Sequence, residues 1–299
     1  MRFVIFLTLL ALCSNISADS PLAAEGEDTY IFAASACPPW KVKLLEKHAR
    51  HIADACRNDV RIFTTSVKEA LSVPPGNITS LVDEQAAYDG FRQGLSDFSD
   101  NVPEDSRVIL YLNFHGEISG IDQNGEPDDD EVLVLWTREK PFTTLSALSL
   151  EQWITAKELR RMMDSIDANE IVIVIDACHA GEAVPKILMK HGRGAEWKGH
   201  EAVMLSSKAG QLSYFTADGS RALFTSKLAE SILSAPTLEA AIDKAAAETT
   251  AYMQNETHQK ECTAMLSQLT HGKESCEQTP FAYDPAGLLP SIRLEAGKN

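Results

Sequence analysis

Cys178 and His115 are the two side chains in this sequence best suited to nucleophilic chemistry. Cys178 follows the run IVIVID at residues 171–176, and His115 follows the run VILYLN at residues 108–113. A thiol with its ordinary pKa of about 8.5 is mostly protonated at neutral pH, so it needs a base within reach to attack a carbonyl carbon. An imidazole can take that proton, or can protonate a leaving amine. The two residues therefore predict acyl-transfer chemistry.

Two parallel strands are needed to bring these residues together. Continuous Ile and Val runs are typical of buried parallel strands, and ligands bind at the carboxyl ends of such strands. Counted from Val108 and Ile171, the first apolar residues of the two runs, His115 and Cys178 both stand seven residues along. If the strands are neighbours, both side chains emerge at one edge of the sheet. A helix predicted at 155–166 supplies the crossover connection.

Gly116 and the segment after Cys178 complete the predicted site. Without a side chain, Gly116 allows a close backbone approach, so its N–H and that of Cys178 are predicted to form an oxyanion hole. Residues 179–190 predict a helix that opens at Cys178, and its N-terminal dipole would favour the thiolate. His179 points elsewhere on such a helix and is interpreted as structural.

Each of these residues also has an ordinary structural interpretation. A cysteine after an Ile/Val run is more often a buried apolar residue, and a lone histidine is more often a satisfied core or loop side chain. Cys37 is a rival nucleophile because it too ends an apolar run. Pro38 and Pro39 follow it, so no helix start assists it.

The composition predicts a folded globular protein. The chain has 299 residues, 44% of them hydrophobic, and a formal net charge of −16. Excess acid argues against nucleic acid or an anionic membrane as partner, because those surfaces repel it. A peptide or protein substrate stays compatible with this charge.

The N-terminus predicts a signal peptide at residues 1–18. Arg2 precedes a short apolar run at 4–12, and the small residues Ser17 and Ala18 suit cleavage after position 18. The apolar run is shorter than the roughly 20 residues that span a bilayer. The mature protein is therefore expected to be secreted or periplasmic, with no membrane partner.

The cysteine count leaves one thiol over. Six cysteines, less the one inside the predicted signal peptide, leave five. In an oxidising compartment an odd number means at least one unpaired thiol, and Cys178 is the natural candidate. Cys262 with Cys276 is the favoured disulfide. Cys37 and Cys56 form a second candidate pair, with a buried free thiol at Cys56 equally compatible. No Cys/His spacing resembles a zinc site, so no metal site is predicted.

The rest of the pattern predicts a single α/β domain at 27–290, followed by a tail at 291–299. Apolar runs alternate with helical patterns, which indicates βαβ units and a mostly parallel sheet. The predicted strands are 29–36, 59–65, 107–113, 131–136, 170–176 and 202–206. The predicted helices are 41–57, 82–98, 155–166, 179–190, 222–234 and 237–257.

Two sequence blocks carry a family resemblance. VILYLNFHGE and IVIVIDACHAGE resemble the His-Gly and Asp-x-Cys-His-x-Gly blocks of caspase-like cysteine peptidases, with bacterial metacaspases the closest match. DQNGEPDDDEVLVLW, the block beginning VMLSSKAG, and EQTPFAYDP are also similar to stretches of that family. The resemblance covers most of the chain from about residue 105, and legumain-like peptidases share the two catalytic blocks. It implies a three-layer caspase-like fold with helices on both faces of the sheet.

The resemblance also implies roles for individual residues. His115 and Cys178 match the catalytic dyad, and the N–H groups of Gly116 and Cys178 match the oxyanion hole. Asp176 matches a metacaspase acid that helps to bind Arg or Lys at P1, the substrate residue before the cleaved bond. Alternatively, Asp176 caps the helix that is predicted to begin at Cys178.

The remaining pocket residues are less well matched. Ser206 and Ser207 lie in a matching block and are predicted to bind substrate. The second pocket acid of metacaspases has no counterpart here, because Asp54 and Asp59 fall late in the predicted helix or beyond it.

The expectation is thus an exported cysteine endopeptidase, with cleavage after Arg or Lys as its implied preference. A legumain-like Asn/Asp-specific peptidase or transpeptidase, and a non-catalytic interaction protein on the same fold, stay open as alternatives. No cofactor is expected. Calcium activates several metacaspases, but the acidic run 128–131 lacks EF-hand spacing and predicts a solvated loop. A homodimer through an edge strand at 202–206 or 279–283 is also open.

Overall fold

A six-stranded sheet is the centre of this computed structural model, which describes residues 28–37, 52–119, 130–135, 153–183, 200–269 and 275–295. In chain order the strands are β1 (Thr29–Ser35), β2 (Ile78–Val82), β3 (Arg107–Asn113), β4 (His115–Ser119), β5 (Asp130–Val134), β6 (Trp153–Thr155), β7 (Glu170–Asp176), β8 (His200–Leu205) and β9 (Phe281–Tyr283). The central sheet has the order β2-β1-β3-β7-β8-β9, and of these strands only β9 is antiparallel to its neighbour. Strands β4, β5 and β6 form a small antiparallel sheet.

Helices cover both faces of the central sheet. They are α1 (Ile52–Leu71), α2 (Tyr88–Asn101), α3 (Ala156–Met163), α4 (Leu223–Ile232), α5 (Leu238–Met253) and α6 (Glu256–Leu269). Because side chains alternate along a strand, each strand contributes apolar residues to two cores. On one face Phe32 of β1 packs against Phe91 of α2, and on the other Tyr111 of β3 stacks on Phe63 of α1. The predicted three-layer α/β arrangement is confirmed.

The prediction of a strand at 59–65 is wrong. These residues lie in the middle of α1, and the second strand is β2, which the sequence pattern did not reveal. The buried apolar positions of α1 recur at helical spacing, at Ala55, Cys56, Val60, Phe63, Val67, Ala70 and Leu71. The segment VRIFTT has high β-propensity, but burial of this long helical face outweighs it. Of the helix predicted at 41–57, residues 41–51 lie outside the described residues.

Helix boundaries follow local capping. Thr155 accepts the Glu158 N–H at 3.0 Å, and α3 begins at the next residue. The helix predicted at 237–257 is divided in two, because Asn255 accepts the N–H groups of Thr257 and His258 and so caps a new helix, α6. The helix predicted at 82–98 begins later, at Tyr88.

The C-terminal part of the described chain packs onto the domain. Ile292 and Leu294 are buried, and the Glu295 N–H donates to the Ala70 carbonyl at the end of α1. The packed chain therefore continues past the predicted boundary at residue 290. β9 covers β8, so residues 202–206 are not an edge of the sheet, and the described edge on this side is β9.

Both predicted disulfides are present. Cys37 is bonded to Cys56, which ties the end of β1 to α1, and Cys262 is bonded to Cys276. Among the described residues, Cys178 is the cysteine that is not in a disulfide. Cys37 is therefore excluded as the rival nucleophile. Two disulfides indicate folding in an oxidising environment, as is usual for extracellular proteins.

Candidate active site

The register of β3 and β7 places His115 and Cys178 at the same edge of the sheet. The two strands are parallel neighbours, with Val108 opposite Ile171 and Asn113 opposite Asp176. His115 and Cys178 each follow two residues after that last pair. The pairing predicted from the equal seven-residue count is thus confirmed.

Gly116 brings the two strand ends into direct backbone contact. A Cβ atom on Gly116 would overlap the Cys178 carbonyl oxygen and lie 3.0 Å from the Cys178 backbone nitrogen. At the end of the same two strands, the Phe114 N–H donates to the Asp176 carbonyl at 3.3 Å. This crossing requires a residue without a side chain, because any Cβ would displace the Cys178 peptide.

The thiol of Cys178 lies between the backbone groups of Ser213, in the loop after β8. The Ser213 N–H donates to Sγ at 3.4 Å, and Sγ donates to the Ser213 carbonyl oxygen at 3.8 Å. The Cys178 residue is half-buried. A backbone N–H directed at sulfur stabilises the thiolate, which is the reactive form.

The prediction that a helix opens at Cys178 is wrong. His179 adopts a left-handed conformation, with φ of 60°, and its N–H donates to the Gln211 carbonyl at 2.7 Å. A short 3-10 helix covers Ala180–Glu182, and the rest of the predicted helix lies outside the described residues. Because the chain turns at His179, no helix begins at Cys178. The group that donates to the thiol is therefore the Ser213 N–H and not the N-terminus of a helix.

His115 has a carboxylate partner that the sequence reasoning missed. Its Nε2 atom lies 2.5 Å from Oε1 of Glu117, and both side chains are half-buried. Residues two apart on a strand share a face, so the spacing His-x-Glu on β4 was the available signal. The contact with Glu117 at Nε2 orients the His115 ring.

Asp176 is buried and fully hydrogen-bonded. Oδ1 accepts the Ser213 hydroxyl at 2.6 Å, and Oδ2 accepts the Thr225 hydroxyl at 2.6 Å and the Thr225 N–H at 3.1 Å. Burial raises the pKa of the Asp176 carboxyl, while the hydroxyl bonds act in the opposite direction. Thr225 lies in the first turn of α4, so the helix that Asp176 caps is α4 and not one at Cys178.

Ser206 and Ser207 support the backbone around Cys178. Both are fully buried. The Ser206 hydroxyl donates to the Ala177 carbonyl and accepts the Ala177 N–H, each at 3.1 Å. The Ser207 hydroxyl donates to the same carbonyl at 3.0 Å and accepts the Ala180 N–H at 3.2 Å. These bonds fix the loop that carries the thiol, and direct substrate contact by the two serines stays a prediction.

A second buried carboxylate, Asp59 of α1, lies beneath the same edge. It accepts the side-chain amide of Asn113 at 2.8 Å and the N–H of Ala222, the residue before α4. Burial raises the pKa of the Asp59 carboxyl well above its ordinary value, and the charge of Asp176 acts in the same direction. The sequence analysis set Asp59 aside as a pocket acid because the predicted helix ended at residue 57, whereas α1 continues through Asp59.

The Asp59 carboxyl predicts a measurable pH dependence of stability. A raised folded-state pKa means that the folded protein holds this proton more tightly than the unfolded chain. Its contribution to stability is therefore fully present below the unfolded-state pKa of about 3.9 and is lost as pH rises through the folded-state value. Asparagine cannot ionise, so we expect the free energy of unfolding of Asp59→Asn to fall less than that of wild type as pH rises above about 4. Urea denaturation at a series of pH values measures both curves.

Asp54→Asn is the matched control for this measurement. Asp54 is on the same helix, but its side chain is 62% exposed. The control is expected to follow the wild-type pH curve. A wild-type curve that runs parallel to that of Asp59→Asn would contradict the prediction.

Comparison with known proteins adds evidence on the fold. No family model and no curated protein matches the sequence. Among solved structures, caspase-1 from Spodoptera frugiperda is similar with a TM-score of 0.54 and 10% identity, over 87% of each chain. The fold is caspase-like. A protein from Geobacter sulfurreducens is similar with a TM-score of 0.54 and 15% identity, over 90% of this chain and 100% of its own. At such identities the caspase-like fold is shared, and the chemistry must be argued from the site.

Two predictions fall wholly or partly on residues outside the described ranges. Residues 1–18, the predicted signal peptide, and residues 128 and 129 of the acidic run lie outside the described residues, whereas Asp130 and Glu131 lie in β5 and not in a loop. Within the described ranges no group of three or more acidic, His or Cys side chains is arranged to hold a metal ion. No helix in those ranges is both long enough and apolar enough to cross a membrane.

Proposed function

We propose that this protein is an exported cysteine endopeptidase in which Cys178 is the nucleophile and His115 the general acid and base. The observation that carries the proposal is the in-register pairing of β3 with β7, together with the backbone contact of Gly116 with Cys178. These features bring a thiol outside any disulfide and an imidazole to one edge of the sheet, on a fold shared with a caspase.

The proposed reaction has two stages. In the first, the Cys178 sulfur bonds to the carbonyl carbon of the scissile peptide while His115 holds the thiol proton. The N–H groups of Gly116 and Cys178 stabilise the oxyanion, His115 passes the proton to the leaving nitrogen, and the C–N bond breaks. In the second, water attacks the thioester with His115 as base, which releases the carboxylate and restores the thiol.

The proposed substrate preference is Arg or Lys at P1, and it rests on Asp176. A buried carboxylate favours a cationic partner and disfavours an acidic one. Asp176 is 2% exposed, and Ser213 occupies Oδ1. A P1 cation therefore contacts Asp176 only when the Ser213 hydroxyl turns away from it.

A set of fluorogenic peptides that differ only at P1 tests both activity and preference. We expect Arg and Lys substrates to have a higher kcat/KM than Asn and Asp substrates. Asp176→Asn should reduce the Arg-to-Asn ratio by about 10- to 100-fold, as expected for loss of a charged hydrogen-bond partner. Because the ratio compares two substrates on one protein, a partial loss of folded enzyme does not affect it.

The same experiment discriminates between the alternatives. Faster cleavage after Asn or Asp would favour a legumain-like specificity and contradict the role given to Asp176. If no peptide in the set is cleaved, and a thiol-directed peptide probe fails to label Cys178, the protein is a non-catalytic interaction protein on this fold.

A further inference from the structure

Gln278 is a buried amide whose bonds all lead to the candidate active site. It lies three residues before β9 and is 1% exposed. Its Oε1 accepts the Tyr214 N–H at 3.1 Å, and its Nε2 donates to the Ser206 carbonyl and to the Ser213 hydroxyl, each at 3.1 Å. With both amide atoms engaged, the orientation of the Gln278 side chain is determined by its partners.

Ser213 connects the Gln278 side chain to the Cys178 sulfur. Its hydroxyl accepts from Gln278 and donates to Asp176, so both hydrogen-bonding roles of the hydroxyl are used. Its backbone N–H and carbonyl are the groups on either side of the Cys178 Sγ. The position of the Ser213 peptide, and with it the hydrogen bond to the thiolate, therefore depends on Gln278.

Further bonds attach the same loop to the segment that carries Gln278. The Thr279 N–H donates to the side-chain carbonyl of Gln211 at 2.9 Å, and the Tyr214 hydroxyl donates to the Ser275 carbonyl at 2.7 Å. Cys276, two residues before Gln278, is bonded to Cys262 of α6. The loop beside Cys178 is thus held by a disulfide-anchored segment from the far end of the chain.

We propose that Gln278 is a positioning residue that holds the Ser213 peptide against the Cys178 thiol. The catalytic role of Gln278 rests on the proposed function, but its effect on the position of the thiol can be measured whether or not the protein is a peptidase. In catalysis, a displaced Ser213 peptide weakens thiolate stabilisation and leaves substrate binding by other residues intact.

The test compares Gln278→Met with wild type in two assays. Methionine has a similar length but cannot make the three hydrogen bonds. We expect the rate of Cys178 alkylation by iodoacetamide at neutral pH to fall about five-fold, which is the effect of one lost hydrogen bond. We expect kcat on the best peptide to fall about ten-fold, with KM changed much less. Gln254→Met makes the same change at an exposed residue after α5, and it should match wild type in both assays.

Either of two results overturns the proposal. One is a folded Gln278→Met protein with wild-type alkylation rate and kcat, and the other is a change in KM alone. If Gln278→Met does not fold, Tyr214→Phe removes the hydroxyl that ties the same loop to Ser275, and it must lower the alkylation rate in the same direction, or the proposal fails. A wild-type protein that cleaves no peptide defeats the proposed function, whereas the alkylation comparison still decides the role of Gln278.

Discussion

Replacing Cys178 with alanine is expected to abolish peptide hydrolysis and to prevent labelling by an irreversible thiol-directed peptide probe. In the proposed reaction the sulfur bonds to the substrate carbonyl, and the other described cysteines are held in disulfides. His115→Ala should keep the thiol but lose the proton carrier, which lowers kcat/KM by about 10²- to 10⁴-fold. Hydrolysis is followed with fluorogenic peptides, and labelling by mass analysis of the intact protein.

The Cys178→Ala result has a clear contradicting outcome. If wild type and Cys178→Ala are labelled to the same extent, the reactive sulfur is elsewhere and the assignment fails. Peptide mapping of the labelled wild-type protein provides the control, since the adduct must lie on the peptide that contains Cys178.

Substituting alanine for Gly116 is expected to lower kcat by at least about 10²-fold, the loss seen when one oxyanion donor is removed. The added Cβ would overlap the carbonyl oxygen of Cys178, so the two strand ends must separate. That separation moves the thiol, the imidazole and both proposed oxyanion donors together. Steady-state kinetics measure the loss, and circular dichroism reports whether the sheet is retained.

Gly76→Ala is the matched control. Gly76 lies in the 3-10 helix Pro75–Asn77, and a Cβ at this position would meet nothing within 4 Å. It should therefore keep wild-type kinetics. Wild-type kcat in a folded Gly116→Ala protein would show that the close contact with Cys178 is not needed for the chemistry.

The central strands and their register could be predicted from sequence because local pattern and burial agree there. The run at 171–176 is apolar at every position except its last, and such runs are typical of strands covered on both faces. Equal spacing from the start of each run then sufficed to align His115 with Cys178. The odd cysteine count predicted a thiol outside any disulfide, and the closeness of Cys262 to Cys276 in the sequence predicted one of the two disulfides, whereas the Cys37–Cys56 pair stayed open until the structure was available.

The groups that surround the thiol could not be predicted, because they are close in space and distant along the chain. Ser213 and Gln278 contact the site through loops whose paths depend on the packed fold and not on a local period. The turn at His179 is a left-handed conformation of a non-glycine residue, which a helical pattern does not reveal. Asp59 was misplaced because local β-propensity was followed where tertiary burial decides.

The sulfur chemistry of this protein has a consequence for handling it. Cysteine hydrolases are commonly assayed with dithiol reductants, which regenerate an oxidised thiolate but also open accessible cystines. Here the candidate nucleophile needs the reduced state, whereas the Cys262–Cys276 cystine braces the loop beside it when oxidised. Because Cys262 and Cys276 are both buried, only a strong reductant opens that cystine. If the proposed function is correct, turnover should therefore peak at an intermediate reducing strength, and a strongly reducing assay buffer would understate the activity.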